Sequence, residues 1–194
     1  MNTQTSDGPP RAVLIAALVV AVGAVVAVLA VAAVQQRQPA PTPVGISMVP
    51  APGADGPDCT ALIGALPDAL GDYQRAEVIE PAPAGTAAWQ PEDGGEALIL
   101  RCGLDRPAEF TVGTPIQMVD AVQWFRVGEA GVGENPVGEA GDAAEGRSTW
   151  YAVDRPVYVA LTLPAGSGPT PIQLLSTVID ETLPARPIDP APAR

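Results

Sequence analysis

Few side chains in this sequence can carry chemistry, because it contains no histidine and no lysine. A Ser-His-Asp triad, a histidine-ligated zinc site, a lysine Schiff base and a P-loop phosphate clamp each need one of those residues. The serine motifs G-x-S-x-G and S-x-x-K are also absent from the sequence. These absences exclude most familiar enzyme classes, so we predict no catalytic residue, no cofactor and no metal-ligand set.

Two cysteines, Cys59 and Cys102, are the only thiols, and neither belongs to a metal-spaced motif such as C-x-x-C. In an oxidising compartment they can pair and close a loop of about 44 residues. The alternative is a pair of buried free thiols. We favour the disulfide, which predicts that the segment containing both cysteines lies outside the cytoplasm.

Carboxylates offer the remaining route to catalysis, since paired acids hydrolyse glycosidic bonds. The candidates are Glu77, Glu80, Glu92, Asp93, Glu96 and Asp105. Nothing in the sequence selects one pair among them. A carboxylate-dependent hydrolase acting on cell-wall polymers is therefore the alternative hypothesis rather than the leading one.

An acidic repeat occupies residues 127–146, which read VGEAGVGENPVGEAGDAAEG and contain five acids and no cation. Such a loop could bind a hard cation such as calcium through its carboxylates. The EF-hand spacing is absent, and ordering a loop rich in glycine is costly. We therefore favour a duplicated, solvated hairpin loop.

Three tryptophans, Trp89, Trp124 and Trp150, suggest an aromatic surface that could stack on the sugar rings of a cell-wall glycan. Aromatic residues on strands more often belong to a core. Because successive strand residues point to opposite faces, Trp124 and the adjacent Phe125 must lie on different sides of a sheet. At least one of this pair could therefore border a groove.

The elements that position these residues begin with an apolar run at 12–34, preceded by a short tail at 1–11 that we assign to the cytoplasm. A helix of that length spans roughly 35 Å, enough to cross a lipid bilayer. Because the run is longer than a signal-peptide core, we favour a retained anchor over a secreted product of signal cleavage. The predicted topology is single-pass, with the following domain outside the cell membrane.

Proline-rich segments flank the predicted domain. Residues 35–57 read as an extended linker that would hold the domain up to roughly 70 Å from the bilayer. Residues 185–194 form a second proline-rich stretch, which we expect to be disordered. The folded unit is then predicted over 58–184.

That unit is predicted to be α+β, with a mainly antiparallel sheet of about five to six strands and two flanking helices. One helix follows Asp58 as its cap, and the other follows Thr170, which would open a capping box with Gln173. The predicted strands are 74–79, 97–102, 110–113, 121–127, 148–153 and 157–163. A tight hairpin at 154–156 is expected to join the last two.

The formal net charge of −12 falls within residues 58–187. A negative field of this kind repels phosphate backbones, so nucleic acid is excluded as a partner. The acidity is typical of a solubilising surface. The remaining partners are the lipid bilayer, through residues 12–34, and an envelope protein or cell-wall glycan.

Five short motifs lie along the predicted domain: CTALIGALP from Cys59, AAW at 87–89, LRCGL at 100–104, VQW at 122–124 and DRPVYVALTLP from Asp154. Together they resemble an uncharacterised, mycobacterial-type family of short actinobacterial envelope proteins, which are membrane-anchored or secreted. The resemblance implies an N-terminal anchor or lipoprotein signal, an extracytoplasmic domain with two cysteines, and no assigned activity. We therefore expect a single-pass, membrane-anchored envelope protein that serves as a non-catalytic binding or accessory module.

Overall fold

The computed structural model describes residues 11–35, 42–128 and 146–193. It divides into two units, 1–39 and 40–194. The first contains helix α1, Arg11–Gln35, whose residues Ala12–Leu29 have a mean hydropathy of 3.1 and no burial within the protein. α1 is therefore long and apolar enough to cross a membrane, a property that signal sequences share.

The second unit is α+β, as predicted, and its sheet has eight strands. Its helices are α2 (Pro57–Ala65) and α3 (Thr170–Thr182). Its strands are β1 (Ala69–Leu70), β2 (Tyr73–Arg75), β3 (Thr86–Pro91), β4 (Leu98–Leu104), β5 (Ile116–Val119), β6 (Val122–Gly128), β7 (Ser148–Ala152) and β8 (Tyr158–Leu163).

The sheet consists of two antiparallel meanders joined at the centre, in the order β1-β2-β3-β4-β8-β7-β6-β5. Each neighbouring pair is antiparallel, including the central pair β4 and β8. The predicted hairpin between β7 and β8 is confirmed. The strands β6 and β7 pair from Gly128 and Ser148 onward, so the connection between them holds most of the acidic repeat, of which 129–145 lie outside the described residues.

The two faces of the sheet differ in what covers them. The helix face carries Trp89, Cys102, Trp124 and Leu161, which form the main core with α2 and α3. The opposite face, here called the strap face, carries Ala88, Phe125 and Val153. Trp124 and Phe125 therefore point to opposite sides, as the strand period requires.

The helix α3 follows its predicted apolar stripe. Ile172, Leu175, Ile179 and Leu183 are buried in the core and Val178 packs against it. The capping predictions are wrong at both helices. Gly56 and Pro169 occupy the N-cap positions, neither makes a side-chain capping bond, and a proline in the first turn of each helix starts it instead.

Five of the six predicted strands overlap observed ones, but 110–113 is wrong as a strand, since only Thr111 makes an isolated bridge, to Ala191. Three strands were missed, β1, β3 and β5. The missed β3 contains Ala87 and Ala88, which have weak intrinsic strand preference and are held by pairing on both sides.

Both proline-rich flanks differ from expectation where the structure describes them. A first strap, residues 42–50, lies on the strap face, where Val44 is buried and pairs with Val78. Residues 51–56 continue against the sheet, with the Gly53 N–H donating to the Gly103 carbonyl over 2.9 Å. Residues from Val44 onward therefore contact the sheet, whereas the predicted folded unit began at 58.

The expected disorder at 185–194 is also corrected. The Arg186 N–H donates to the Asp154 carbonyl, and Ala191 exchanges hydrogen bonds with Phe110 and Val112. Ile188 packs against the buried residues of the strap face. The segment lacks a core of its own, but it docks on one supplied by the sheet.

Candidate functional site

The two cysteines form a disulfide that joins α2 to β4. Their Cα atoms are 5.6 Å apart and both side chains are completely buried. A buried, bonded sulfur is neither a nucleophile nor a metal ligand. The bond links residues 43 positions apart, so it fixes α2 against the centre of the sheet.

The predicted aromatic surface is divided by the fold. Trp89 and Trp124 are completely buried, with their indole N–H groups donating to the Pro67 carbonyl and the Ser176 hydroxyl over 3.0 Å each. Trp150 is half-buried at the margin of the helix face. Of the three side chains, only the Trp150 indole is therefore placed to touch a ligand.

Trp150 borders an open cleft of about 430 Å³, here called the tryptophan cleft. Its indole N–H donates to the Ser148 hydroxyl over 3.1 Å, and the Arg126 guanidinium carbon lies 5.6 Å from its ring centroid. This cation–π contact orients the ring. Gln117 and the loop Pro164–Gly168 complete the polar part of the wall.

A second cleft, of about 400 Å³, lies on the other side of the loop 164–167 and is here called the acidic cleft. Its lining includes Asp72, Tyr73, Asp93 and Glu96, and the three carboxylate residues are exposed. Burial raises the pKa of the Tyr73 phenol, and the nearby Asp72 and Asp93 raise it further. Glu96 forms an ion pair with Arg147.

The chemistry available in the acidic cleft is limited by that exposure. A carboxylic acid that donates a proton at neutral pH needs an apolar enclosure. Within the described ranges, no group of three or more His, Cys, Asp or Glu residues is arranged to hold a metal ion. The cleft therefore resembles a negatively charged surface more than a hydrolytic centre.

Sequence reasoning missed the loop 164–168, which follows the central strand β8 and separates the two clefts. Its composition, Pro-Ala-Gly-Ser-Gly, signals a turn but says nothing of its neighbours. Sequence reasoning also missed Arg155, whose buried guanidinium bonds Asp154, the Ala121 carbonyl and Asp180. The Asp-Arg-Pro motif at 154–156 predicts a hairpin, but its local sequence gives no sign of the contacts that Arg155 makes.

Together these features define an α+β protein with one apolar N-terminal helix, a disulfide-linked sheet domain, and two open clefts beside the central strand. The chain belongs to the family described as protein of unknown function DUF3515, which matches residues 18–188. No curated protein and no solved structure matches the chain.

Proposed function

We propose that this chain is a membrane-anchored protein whose α+β domain lies outside the cytoplasm and serves as a non-catalytic binding or accessory module of the cell envelope. The observation that carries this proposal is the completely buried disulfide between Cys59 and Cys102. Disulfides form and persist in oxidising compartments. The apolar helix α1 supplies the route to such a compartment, either as a retained anchor or as a signal sequence.

Retention of α1 is the form of the proposal that we favour. The apolar run at 12–34 exceeds the roughly 7 to 15 residues of a signal-peptide core. An anchored chain would place its first residues in the cytoplasm and the domain on the opposite side. Secretion after cleavage is the alternative.

The tryptophan cleft is the binding site that we propose, and a cell-wall glycan is the ligand that suits it. Sugar rings have apolar C–H faces and polar edges, which match an indole flanked by hydroxyl and amide groups. Trp150 supplies the flat surface, while Gln117 and Ser167 supply the polar groups. A cleft of about 430 Å³ lies within the range of small-ligand sites.

The second candidate function is a carboxylate-dependent hydrolase, and the observation that favours it is the convergence of Asp72, Asp93 and Glu96 on one cleft. Replacing Asp72 and Asp93 together by asparagine would abolish hydrolysis of isolated cell-wall polymer if this candidate is right. If the wild-type chain releases no reducing sugar, the hydrolase is excluded.

Location is tested by trapping thiols in growing cells with acid and then adding a maleimide-polyethylene glycol. We expect no shift in gel mobility without reductant and a two-site shift after reduction. The variant Cys59→Ala, which leaves Cys102 unpaired, provides the one-site standard. Two free thiols in the untreated cells would contradict the extracytoplasmic assignment. Carbonate extraction and intact mass then distinguish a retained anchor from a cleaved signal.

Ligand binding is tested by sedimentation of the full-length chain in detergent with insoluble cell-wall glycan. Trp150→Ala should reduce the bound fraction at least fivefold because it removes the stacking surface. Met118→Ala is the matched control, since Met118 is exposed on the strand that carries Gln117 but does not line the cleft. Equal binding by the two variants would remove the glycan from the proposal.

A further inference from the structure

The segment 184–193, here called the proline segment, lies in a groove on the strap face. The groove, here called the aromatic groove, is built by Phe110, Phe125, Tyr151 and Tyr158. The Phe110 and Phe125 ring centroids are 5.4 Å apart, and those of Phe125 and Tyr151 are 6.3 Å apart. Ile188 is the side chain of the segment that packs on this cluster.

The spacing of the segment matches an extended ligand. Prolines at 184, 187 and 190 recur every three residues, which is the period of a polyproline II helix. That period also places Ile188 on the same edge as Ala191, the residue that bridges to Thr111. The prolines stiffen the chain, while the edge that carries Ile188 and Ala191 contacts the groove.

Main-chain hydrogen bonds and an ion pair also hold the segment next to Ile188. The Ala191 N–H donates to the Phe110 carbonyl over 2.9 Å, and the Val112 N–H donates to the Ala191 carbonyl over 2.8 Å. An Arg106 Nη donates to both the Asp189 carboxylate, over 2.7 Å, and the Asp189 carbonyl. Backbone pairing with one apolar anchor and one ion pair is how recognition domains bind extended peptides.

The contacts of the proline segment are also weak enough for the segment to detach from the groove. Ile188 is only half-buried, and the Arg106–Asp189 pair is exposed, with 83% of the Asp189 side chain accessible. Exposed ion pairs contribute little, and segments with few buried contacts open locally without global unfolding. An opened segment leaves the aromatic groove available to an identical ligand.

We propose that the aromatic groove is a peptide-binding site for an extended proline-rich segment with a central Ile-Asp pair, supplied by the proline segment of a second copy of this chain. Every copy carries a ligand that satisfies all of the contacts above, so exchange loses none of them. Anchoring in one membrane would raise the effective concentration of the second copy. The inference rests on the proposed function, which supplies the shared membrane. It adds a second copy of this chain as a partner of the binding module.

The site is tested with a fluorescein-labelled peptide of residues 184–193 and the full-length chain in detergent micelles. In the wild-type chain the peptide must compete with the internal segment. Ile188→Asp in the chain weakens that competitor, so we expect the peptide to bind at least tenfold more tightly than to wild type. Ile79→Asp, at an exposed isoleucine outside the groove, should bind as wild type does. Equal affinity for all three chains would overturn the site.

Two further arms keep the result interpretable. The same peptide carrying Ile188→Asp should lose at least tenfold in affinity, and unchanged binding would also overturn the site. If Ile188→Asp does not fold, as judged by circular dichroism, Asp189→Ala in the chain replaces it. This variant should raise peptide affinity about threefold, since it removes only the ion pair with Arg106. No gain with this variant would overturn the site as well.

The second-copy assignment is tested by co-expressing two differently tagged full-length chains and purifying through one tag. Wild-type chains and Ile79→Asp chains should co-purify, whereas Ile188→Asp in both copies should reduce co-purification at least tenfold. Peptide binding without co-purification of wild-type chains would overturn the second copy as the source. The thiol-trapping result is independent of both arms, so failure of the extracytoplasmic location is recognised separately.

Discussion

The two faces of one sheet are covered in different ways. On the helix face, α2 and α3 lie over Trp89, Trp124 and Leu161, and the disulfide ties α2 to β4. On the strap face, two extended segments cover smaller clusters at either side, around Ala88 and around Phe125. Between them Arg101, Thr149 and Thr162 remain half-buried.

This difference indicates which parts of the sheet stabilise the fold and which parts are suited to binding. On the helix face, the large side chains are buried in a closed core, and the open clefts lie at the margin beside the loop 164–168. On the strap face, aromatic and polar groups lie under two extended segments, the first strap and the proline segment, which few contacts hold in place. Elements of low local stability are where binding sites and moving segments are found. We therefore expect substitutions in the core of the helix face to cost more folding free energy than those on the strap face, and we expect binding to depend on the strap face and on the clefts at the margin.

The largest expected effect comes from truncating Trp124 on the helix face. Trp124→Ala should cost about 4 to 5 kcal/mol of unfolding free energy, because packed helices limit collapse of the cavity. Phe125→Ala, one residue away on the strap face, should cost about 3 kcal/mol, since the proline segment can settle into the space. Urea unfolding of both variants measures the difference. Equal costs would remove the mechanical distinction between the faces.

Trp150→Ala serves as a control for the tryptophan itself. The side chain is half-buried and borders the tryptophan cleft, so we expect a loss of at most about 1.5 kcal/mol. A loss as large as that of Trp124→Ala would show that Trp150 belongs to the core.

The next effect concerns the covalent tie on the helix face. Removing the disulfide by Cys59→Ala and Cys102→Ala should lower the unfolding free energy by about 4 kcal/mol in the chain-entropy treatment of a loop of this length. The wild-type chain treated with reductant should show a comparable loss. Unfolding that is insensitive to both treatments would mean that α2 needs no link to hold the helix face.

Several features of the helix face were predictable from local pattern. The alternation in VYVALTL identified β8, and the stripe through Ile172, Leu175 and Ile179 identified α3. Two isolated cysteines correctly suggested a bridge. Each of these signals depends on residues close in sequence or on elimination of other uses, so no tertiary information was needed.

The strap face and the clefts were not predictable in the same way. Prolines near 42–50 and 184–193 indicate that a segment has no helix or strand of its own, but they do not show whether it docks elsewhere. Docking requires Val44 to meet Val78 and Ile188 to meet Phe125, which are far apart in sequence. The clefts likewise depend on strand order, which brings the loop after β8 between Asp93 and Trp150.

A third prediction concerns the point where the first strap leaves the strap face. Gly103 has φ of 83° at the bulge in β4, and a Cβ there would overlap the backbone of Gly53 and Ala54. Gly103→Ala should therefore destabilise the chain by about 3 kcal/mol. Gly64→Ala is the control, because the glycine lies in α2, a Cβ there would meet no atom within 4 Å, and alanine favours a helix. A neutral Gly103→Ala would show that residues 51–56 move freely from the sheet.

The smallest expected effect is a loss of stability at alkaline pH. It reports how far the tyrosine phenols on each face are buried. Burial raises the pKa of Tyr151 and of Tyr158 on the strap face, with Glu109 adding to the rise at Tyr151. Arg101 and Arg106 oppose the rise at Tyr151 and Tyr158, respectively. Burial also raises the pKa of Tyr73 in the acidic cleft.

A phenol whose pKa is higher in the folded chain contributes stability below its unfolded pKa of 10.0, and that contribution is lost as pH rises through the folded value. The unfolding midpoint should therefore be level up to about pH 9.5 and fall above it. Because the chain has no lysine and both cysteines are bonded, tyrosine is the side chain that titrates in this pH range, and absorbance at 295 nm follows its ionisation. Tyr151→Phe should remove part of the fall. If Tyr73→Phe alone removes all of it, the phenols of the strap face are open to solvent, and the aromatic groove is not closed by the proline segment.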